Sequence, residues 1–285
     1  NLNSNKAAGP DNLHPWLLIE SNSHISLPLV RIFNMSLAKK SVPNDWRTAN
    51  IIPIFKKGDK DSPGNYQPVS LTSAICKIME GMINHALINY LEENTLISNR
   101  QHGFHRGRSI NTNFIQSYDH ATKILDMGKP VDIILLDQAK AFDKVEHSYL
   151  LLKLKAYQVH EDVIDWIGAF LTGRSQRVMI YTDNGDPVFS STSPVISGVP
   201  QGTILGPTLF SIYINDCTTY LCNLLTLYAD DCKLIGPAET EEERACIQLD
   251  LDRLSSWSSN WALQFNATKY KVLHLGHNNP TIPTI

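Results

Sequence analysis

Val131-Asp132-Ile133-Ile134-Leu135-Leu136-Asp137 is the stretch on which the fold turns. Four consecutive large aliphatics, at 133–136, read as a strand buried on both faces, and the run stops at a carboxylate. Residues 224–227 and 233–235 read as two more strands. They flank Tyr228-Ala229-Asp230-Asp231, which puts two acids at a hairpin tip. Acids at strand ends are held by stiff backbone while they face a cleft. If the strand ending at Asp137 lies beside the hairpin, the acids converge, and converging carboxylates repel unless a cation sits between them. Magnesium suits such oxygen ligands. Two ions roughly 3.5–4 Å apart activate an attacking hydroxyl and stabilise a leaving pyrophosphate. Ordinary explanations compete: Asp-Asp is common turn material, and an Asp after a strand often caps a helix. Spacing alone does not bring the three acids together.

Working outward, residues 27–38 carry apolar positions at helical spacing, with Pro28 suited to the first turn. Residues 49–55 read as a strand, 56–60 as a charged turn, and 61–68, with two prolines and Gly64, as loop. A long helix with one apolar face is expected over 73–91, and a Gly/Arg loop over 99–109. Further helices are expected over 112–127, 148–158 and 162–171. A strand over 177–181 turns at Asp183-Asn184-Gly185-Asp186. The tight loop Ser197-Gly198-Val199-Pro200-Gln201-Gly202 opens a helix from Leu205 to about Asn215. A helix over 241–261, a strand over 271–275 and a polar tail complete the chain. Hairpin-joined strands interleaved with helices predict α+β, helices packed on a mostly antiparallel sheet.

Composition is compatible with this. The 285 residues include 25 Lys+Arg and 28 Asp+Glu, a net charge of −3, with 42 % hydrophobic residues. That is a globular composition, long enough for one large domain or two smaller ones. No apolar run approaches the roughly 18 residues of a membrane span, and no signal peptide is evident. Five cysteines without a C-x-x-C pair argue against a disulfide framework or a structural zinc site. The pairs His102/His105 and His274/His277 lack the further ligands that zinc needs. Residues 1–110 hold 12 basic and 8 acidic side chains and the remainder 13 and 20, so the first part suits phosphates and the second cations. The chain begins at Asn1, and a piece of a longer protein is expected.

Leu135-Leu136-Asp137-Gln138-Ala139-Lys140-Ala141-Phe142-Asp143, then Gly198-Val199-Pro200-Gln201-Gly202-Thr203-Ile204-Leu205-Gly206-Pro207, then Tyr228-Ala229-Asp230-Asp231 occur in that order. Together they resemble the successive palm motifs of reverse transcriptases from non-LTR (LINE-type) retrotransposons. Lys6-Ala7-Ala8-Gly9-Pro10-Asp11, the stretch from Trp46-Arg47 to Asp59, Asn65-Tyr66-Gln67-Pro68, Gln101-His102-Gly103-Phe104 with Gly107-Arg108-Ser109, and Trp257 to Gly276 extend the likeness over nearly the whole chain. The tetrapeptide alone would be weak; the ordered set is specific.

The resemblance implies a right-hand polymerase of fingers (about 1–125) and palm (about 126–276), with a polar tail at 277–285. An antiparallel palm sheet packs against helices, and the thumb is largely absent. It implies that Asp137, Asp230 and Asp231 hold two Mg2+ ions, with Mn2+ as an alternative, and that Lys269 protonates the leaving pyrophosphate. Phe142 would be the aromatic gate that excludes a 2′-hydroxyl. Lys56, Lys57, Gln67, Gln201 and Gly202 would bind the nucleotide, and Gly198, Pro200 and Arg108 template or primer. The implied partners are an RNA template, a DNA primer and deoxynucleoside triphosphates, acting inside the cell at chromosomal DNA in the nucleus, with no membrane. A core aromatic, a helix-start loop and a solvated turn are the competing readings of Phe142, residues 198–202 and the two lysines.

Three departures count. Gln67 stands where the family usually has Arg, whose charged fork would grip a triphosphate. Gln138 replaces an apolar or aromatic residue. Asn12 replaces a Gly, which is tolerable because Asn also visits left-handed backbone. The expected function is RNA-directed DNA polymerisation by two-metal phosphoryl transfer. The alternatives are a catalytically impaired or domesticated remnant that keeps the fold and nucleic-acid binding, and a group II intron or retron-type enzyme, which the fingers fit less well.

Overall fold

A computed structural model describes residues 3–280; part of the expected polar tail, 281–285, lies outside the described residues. In chain order the elements are α1 (Pro15–Glu20), α2 (Asn22–Ala38), β1 (Thr48–Phe55), β2 (Tyr66–Leu71), α3 (Ala74–Glu93), α4 (Ile110–Asp126), β3 (Val131–Asp137), α5 (His147–Ala156), α6 (Glu161–Leu171), β4 (Arg174–Tyr181), β5 (Pro187–Phe189), β6 (Ser193–Val195), α7 (Leu205–Ile214), β7 (Leu224–Tyr228), β8 (Asp231–Pro237), α8 (Glu241–Asn260) and β9 (Lys271–Leu275). They form two compact units, residues 1–91 with 150–209 and residues 92–149 with 210–285. Among the described residues no helix is long and apolar enough to cross a membrane.

The first unit holds a sheet of order β2-β1-β4-β5, with β6 also on β4. β1 runs parallel to β4, and the other pairings are antiparallel. Two expectations change here. Residues 66–68, read as loop, belong to β2, whose Pro68 faces Pro53 of β1. The Lys56 N–H donates to the Asn65 carbonyl at 2.9 Å. Continuing the antiparallel alternation from that pair makes Pro53–Pro68 a non-hydrogen-bonded pair, where neither missing N–H is needed. Pro28 does not start its helix; it lies inside α2, which begins at Asn22. Its missing N–H leaves only the carbonyl of exposed His24 without a helical donor, and water can supply one there.

The second unit is built on a sheet of order β7-β8-β3-β9, antiparallel throughout. The aliphatic strand β3 lies between β8 and β9; α4 covers the face that carries Val131, and residues 132, 134 and 136 on the opposite face are buried as well, which accounts for its near-continuous apolar run. α4 begins with a capping box between Ser109 and Thr112. It lays Ala121 and Ile124 against Val131 of β3 and Ile235 of β8. α8 begins with a second capping box, Thr240 with Glu243, and three glutamates in its first turn complement the helix dipole.

Candidate active site

Strand register brings two of the predicted acids together. Asp137, the last residue of β3, is the direct cross-strand partner of Asp231, the first residue of β8. Directly opposed residues project from the same face of a sheet, so the two carboxylates lie on one side. Asp230 precedes Asp231 in the two-residue turn Ala229-Asp230 that joins β7 to β8, with Tyr228 paired to Asp231. Ala229 has φ of +54°, while Asp230 is not in the positive-φ region. Glycine is the usual occupant of that first position. An alanine there costs about 1–2 kcal/mol of backbone strain, so neighbouring contacts must hold it.

The Lys269 ammonium, carried on a short turn before β9, pairs with Asp137 Oδ2. Its pKa is raised above the lysine value, first by that hydrogen bond and then by the charges of Asp137, Asp230 and Asp231. All three acids therefore lie within electrostatic range of one amine. Asp231 is raised above the ordinary carboxylate range by desolvation and then by the facing Asp137 charge. Mutual repulsion and hard oxygen donors are what a divalent cation relieves and binds. The donor set fits such an ion, although among the described residues no three His, Cys, Asp or Glu side chains are gathered closely enough to hold one. Here Lys269 supplies the compensating positive charge.

The residues around the acids are tied down. The Asp137 carbonyl accepts from Asn266 N–H at 2.7 Å, and Gln138 bridges to Phe265. Gln138 is 2 % exposed, and neither atom of its side-chain amide has a hydrogen-bond partner. Phe142 is half-buried, stacked on Phe210 at 4.6 Å and edge-on to exposed Phe104 at 6.1 Å. Arg108 donates to the carbonyls of Gln101, at 2.7 Å, and Ser98, at 3.3 Å. It thus braces a loop of this unit. On the acid-bearing face, Lys233 donates to Asn113 Oδ1 at 2.7 Å and lies 4.7 Å from the Phe114 ring centroid.

The predicted nucleotide-loop residues belong to the first unit. Gln67 on β2 donates its amide to Gln201 Oε1 at 3.2 Å, so two of them meet directly. The Ser70 N–H donates to the Gln201 carbonyl at 2.8 Å. Gly202, at φ +101°, has room for no side chain: a Cβ would stand 2.7 Å from the Ser70 carbonyl oxygen. Gly198 also has positive φ, +88°. Pro200 accepts at its carbonyl from the Thr203 hydroxyl at 2.7 Å. Lys56 and Lys57 are exposed. Of the histidine pairs, His102 bonds Thr112 and Gln116, and His274 pairs with buried Asp132.

Sequence reasoning gave no role to two buried polar residues. Glu80 of α3 accepts from the N–H groups of Ile204, at 2.8 Å, and Leu205, at 3.2 Å, capping α7 from a distant helix. Gln101 touches the acidic turn. The signal for Gln101 was present in Gln101-His102-Gly103-Phe104, but only the fold shows what it reaches.

The family profile described as Reverse transcriptase (RNA-dependent DNA polymerase) matches residues 54–281. The chain belongs to that family. It is 29 % identical over 274 residues to a probable RNA-directed DNA polymerase from transposon BS of Drosophila melanogaster, covering 93 % of this chain and 30 % of that protein. To the RNA-directed DNA polymerase from mobile element jockey of Drosophila funebris it is 31 % identical, covering 94 % of this chain and 30 % of the relative. The chain thus spans under a third of the length of these relatives, one named for a transposon and the other for a mobile element. Among solved structures it resembles apo telomerase from Candida tropicalis, truncated from its C-terminal domain, with a TM-score of 0.58 at 12 % identity, over 88 % of this chain and 56 % of that one. That likeness supports the polymerase fold.

Proposed function

We propose that this chain is the catalytic portion of an RNA-directed DNA polymerase, extending a DNA 3′-hydroxyl along an RNA template with deoxynucleoside triphosphates and releasing pyrophosphate. The observation that carries the reading is the register pair Asp137–Asp231, with Asp230 in the adjoining turn and Lys269 set against them. Asp137, Asp230 and Asp231 are the residues that would hold divalent cations, Mg2+ or Mn2+. When bound, such ions acidify the primer hydroxyl and neutralise charge on the phosphates. Lys269 keeps a proton on Nζ, as its raised pKa favours, and delivers it to the departing pyrophosphate. Phe142, backed by Phe210 and Phe104, closes the space beneath the incoming sugar. Gln67, Gln201 and Gly202, with Lys56 and Lys57, contact the nucleotide, and the loop bearing Gly198 and Pro200 the template. A chromosomal primer puts the place of action in the nucleus.

Two observations favour a second reading, a remnant with impaired catalysis. Gln67 carries no charge for a triphosphate, and Gln138 buries an unpartnered amide next to Asp137. Primer extension on an RNA template, beside an Asp230→Ala/Asp231→Ala control, separates the two. Activity lost in the control supports the polymerase; equal background in both supports the remnant.

A further inference from the structure

The acidic turn is held from one side by a strap that the catalytic reading does not use. Residue Gln101 makes a parallel bridge to Leu227 of β7. Leu227 N–H donates to the Arg100 carbonyl, and His102 N–H donates to the Leu227 carbonyl, both at 2.8 Å. The side chain of Gln101, 0 % exposed, then turns toward Ala229. Its Oε1 accepts from Gly103 N–H at 2.7 Å and from Ala229 N–H at 3.2 Å. A Cβ at position 103 would collide with the Ala229 nitrogen, so glycine alone permits this approach. Arg108 fixes the Gln101 carbonyl, and both ring nitrogens of His102 are hydrogen-bonded.

Ala229 is buried and left-handed, which L-alanine adopts only under constraint. The Gln101 oxygen is the side-chain acceptor that meets its N–H. Gln101 Nε2, meanwhile, is buried without a hydrogen-bond partner, a cost to folding that a purely structural residue would not need. We infer that Gln101 is a positioning residue for the acidic turn: its amide oxygen holds Ala229 left-handed and so sets where Asp230 and Asp231 project. The consequence for catalysis rests on the polymerase reading above; the effect on the turn does not.

The test is a double-substitution cycle in the full chain. Gln101→Met keeps length and volume and removes the acceptor. Ala229→Gly makes the left-handed turn intrinsically easy. Hydrogen exchange at the residue-229 amide is expected to accelerate about tenfold or more in Gln101→Met, with the Leu227 amide still protected. In primer extension kcat is expected to fall about tenfold with KM for the nucleotide little changed, and Ala229→Gly is expected to restore most of it, since contacting residues couple. Should Gln101→Met fail to fold, recovery of folding by Ala229→Gly supports the inference, and failure of the double variant overturns it. Unaltered amide protection in Gln101→Met, or a kcat loss that Ala229→Gly does not relieve, also overturns it. An inactive parent chain would sink the polymerase reading instead, and the exchange measurement would still decide the role of Gln101.

Discussion

Gln138 follows Asp137 directly, and its side chain brings a full amide into the core, where neither atom has a hydrogen-bond partner. A buried unsatisfied polar group costs about 1–3 kcal/mol. Gln138→Leu removes two such atoms while keeping most of the volume. It is expected to stabilise the fold by about 1–3 kcal/mol in urea denaturation, and a loss of stability would mean that the amide has a partner, such as a buried water. Gln67 poses the opposite question. Its amide already donates to Gln201, so an arginine there keeps a donor and adds a permanent charge. A hydrogen bond to a charged group is worth about 1.5–3 kcal/mol, so Gln67→Arg is expected to lower the Michaelis constant for a deoxynucleotide about tenfold or more. An unchanged constant in steady-state primer extension would separate this position from triphosphate binding. Both departures are visible in the sequence. Their surroundings are not, because residues 138 and 265, or 67 and 201, meet only through strand pairing and loop packing.

At the scale of elements, α7 depends on a carboxylate from α3. Glu80 is fully buried, and burial raises its pKa from the ordinary 4.5 while the two N–H groups it accepts from oppose the rise. A carboxyl whose pKa is higher in the folded state favours folding most below the unfolded value. That contribution is lost as pH rises through the folded value. Glu80→Gln keeps an oxygen for both N–H groups and cannot ionise. Relative to the parent it is therefore expected to gain stability as pH climbs from about 4 toward neutrality, read from chemical denaturation at several pH values. Glu80→Ala loses both hydrogen bonds and leaves a void, and is expected to cost about 2–4 kcal/mol. The elements themselves were largely legible. The aliphatic run and hairpin gave β3, β7 and β8, and the 3.6-residue pattern gave α3 and α8. What was not legible followed from pairing: β2 looked like loop because its proline, Pro68, is tolerable only when the partner strand sets its register. Asn12 takes left-handed backbone, φ +56°, in line with the expectation that Asn tolerates the position of the family's usual Gly.

For the whole molecule, the acids bear on stability as well as on chemistry, and the two pull in opposite directions. Facing like charges across a strand pair are destabilising, here between Asp137 and Asp231, with Lys269 offsetting part of the repulsion. In chelator, Asp231→Asn is therefore expected to stabilise the chain slightly, by about 0.5 kcal/mol, because Asp231 is exposed and solvent screens the repulsion. Divalent cations reverse the sign. An ion that binds only the folded state stabilises it by about 2.7 kcal/mol at 100 times its dissociation constant. The parent chain is thus expected to gain several degrees in Tm on adding Mg2+, and Asp231→Asn to lose most of that gain, ending below the parent at saturation. Residues 111–285 carry 20 acidic against 13 basic side chains, so a diffuse cation effect must be separated from a site. Monovalent salt at equal ionic strength reproduces the diffuse part only. A crossing of the two stability curves between chelator and Mg2+ is the signature of acids arranged for a cation rather than for the fold; parallel curves would mean that these carboxylates serve the turn alone.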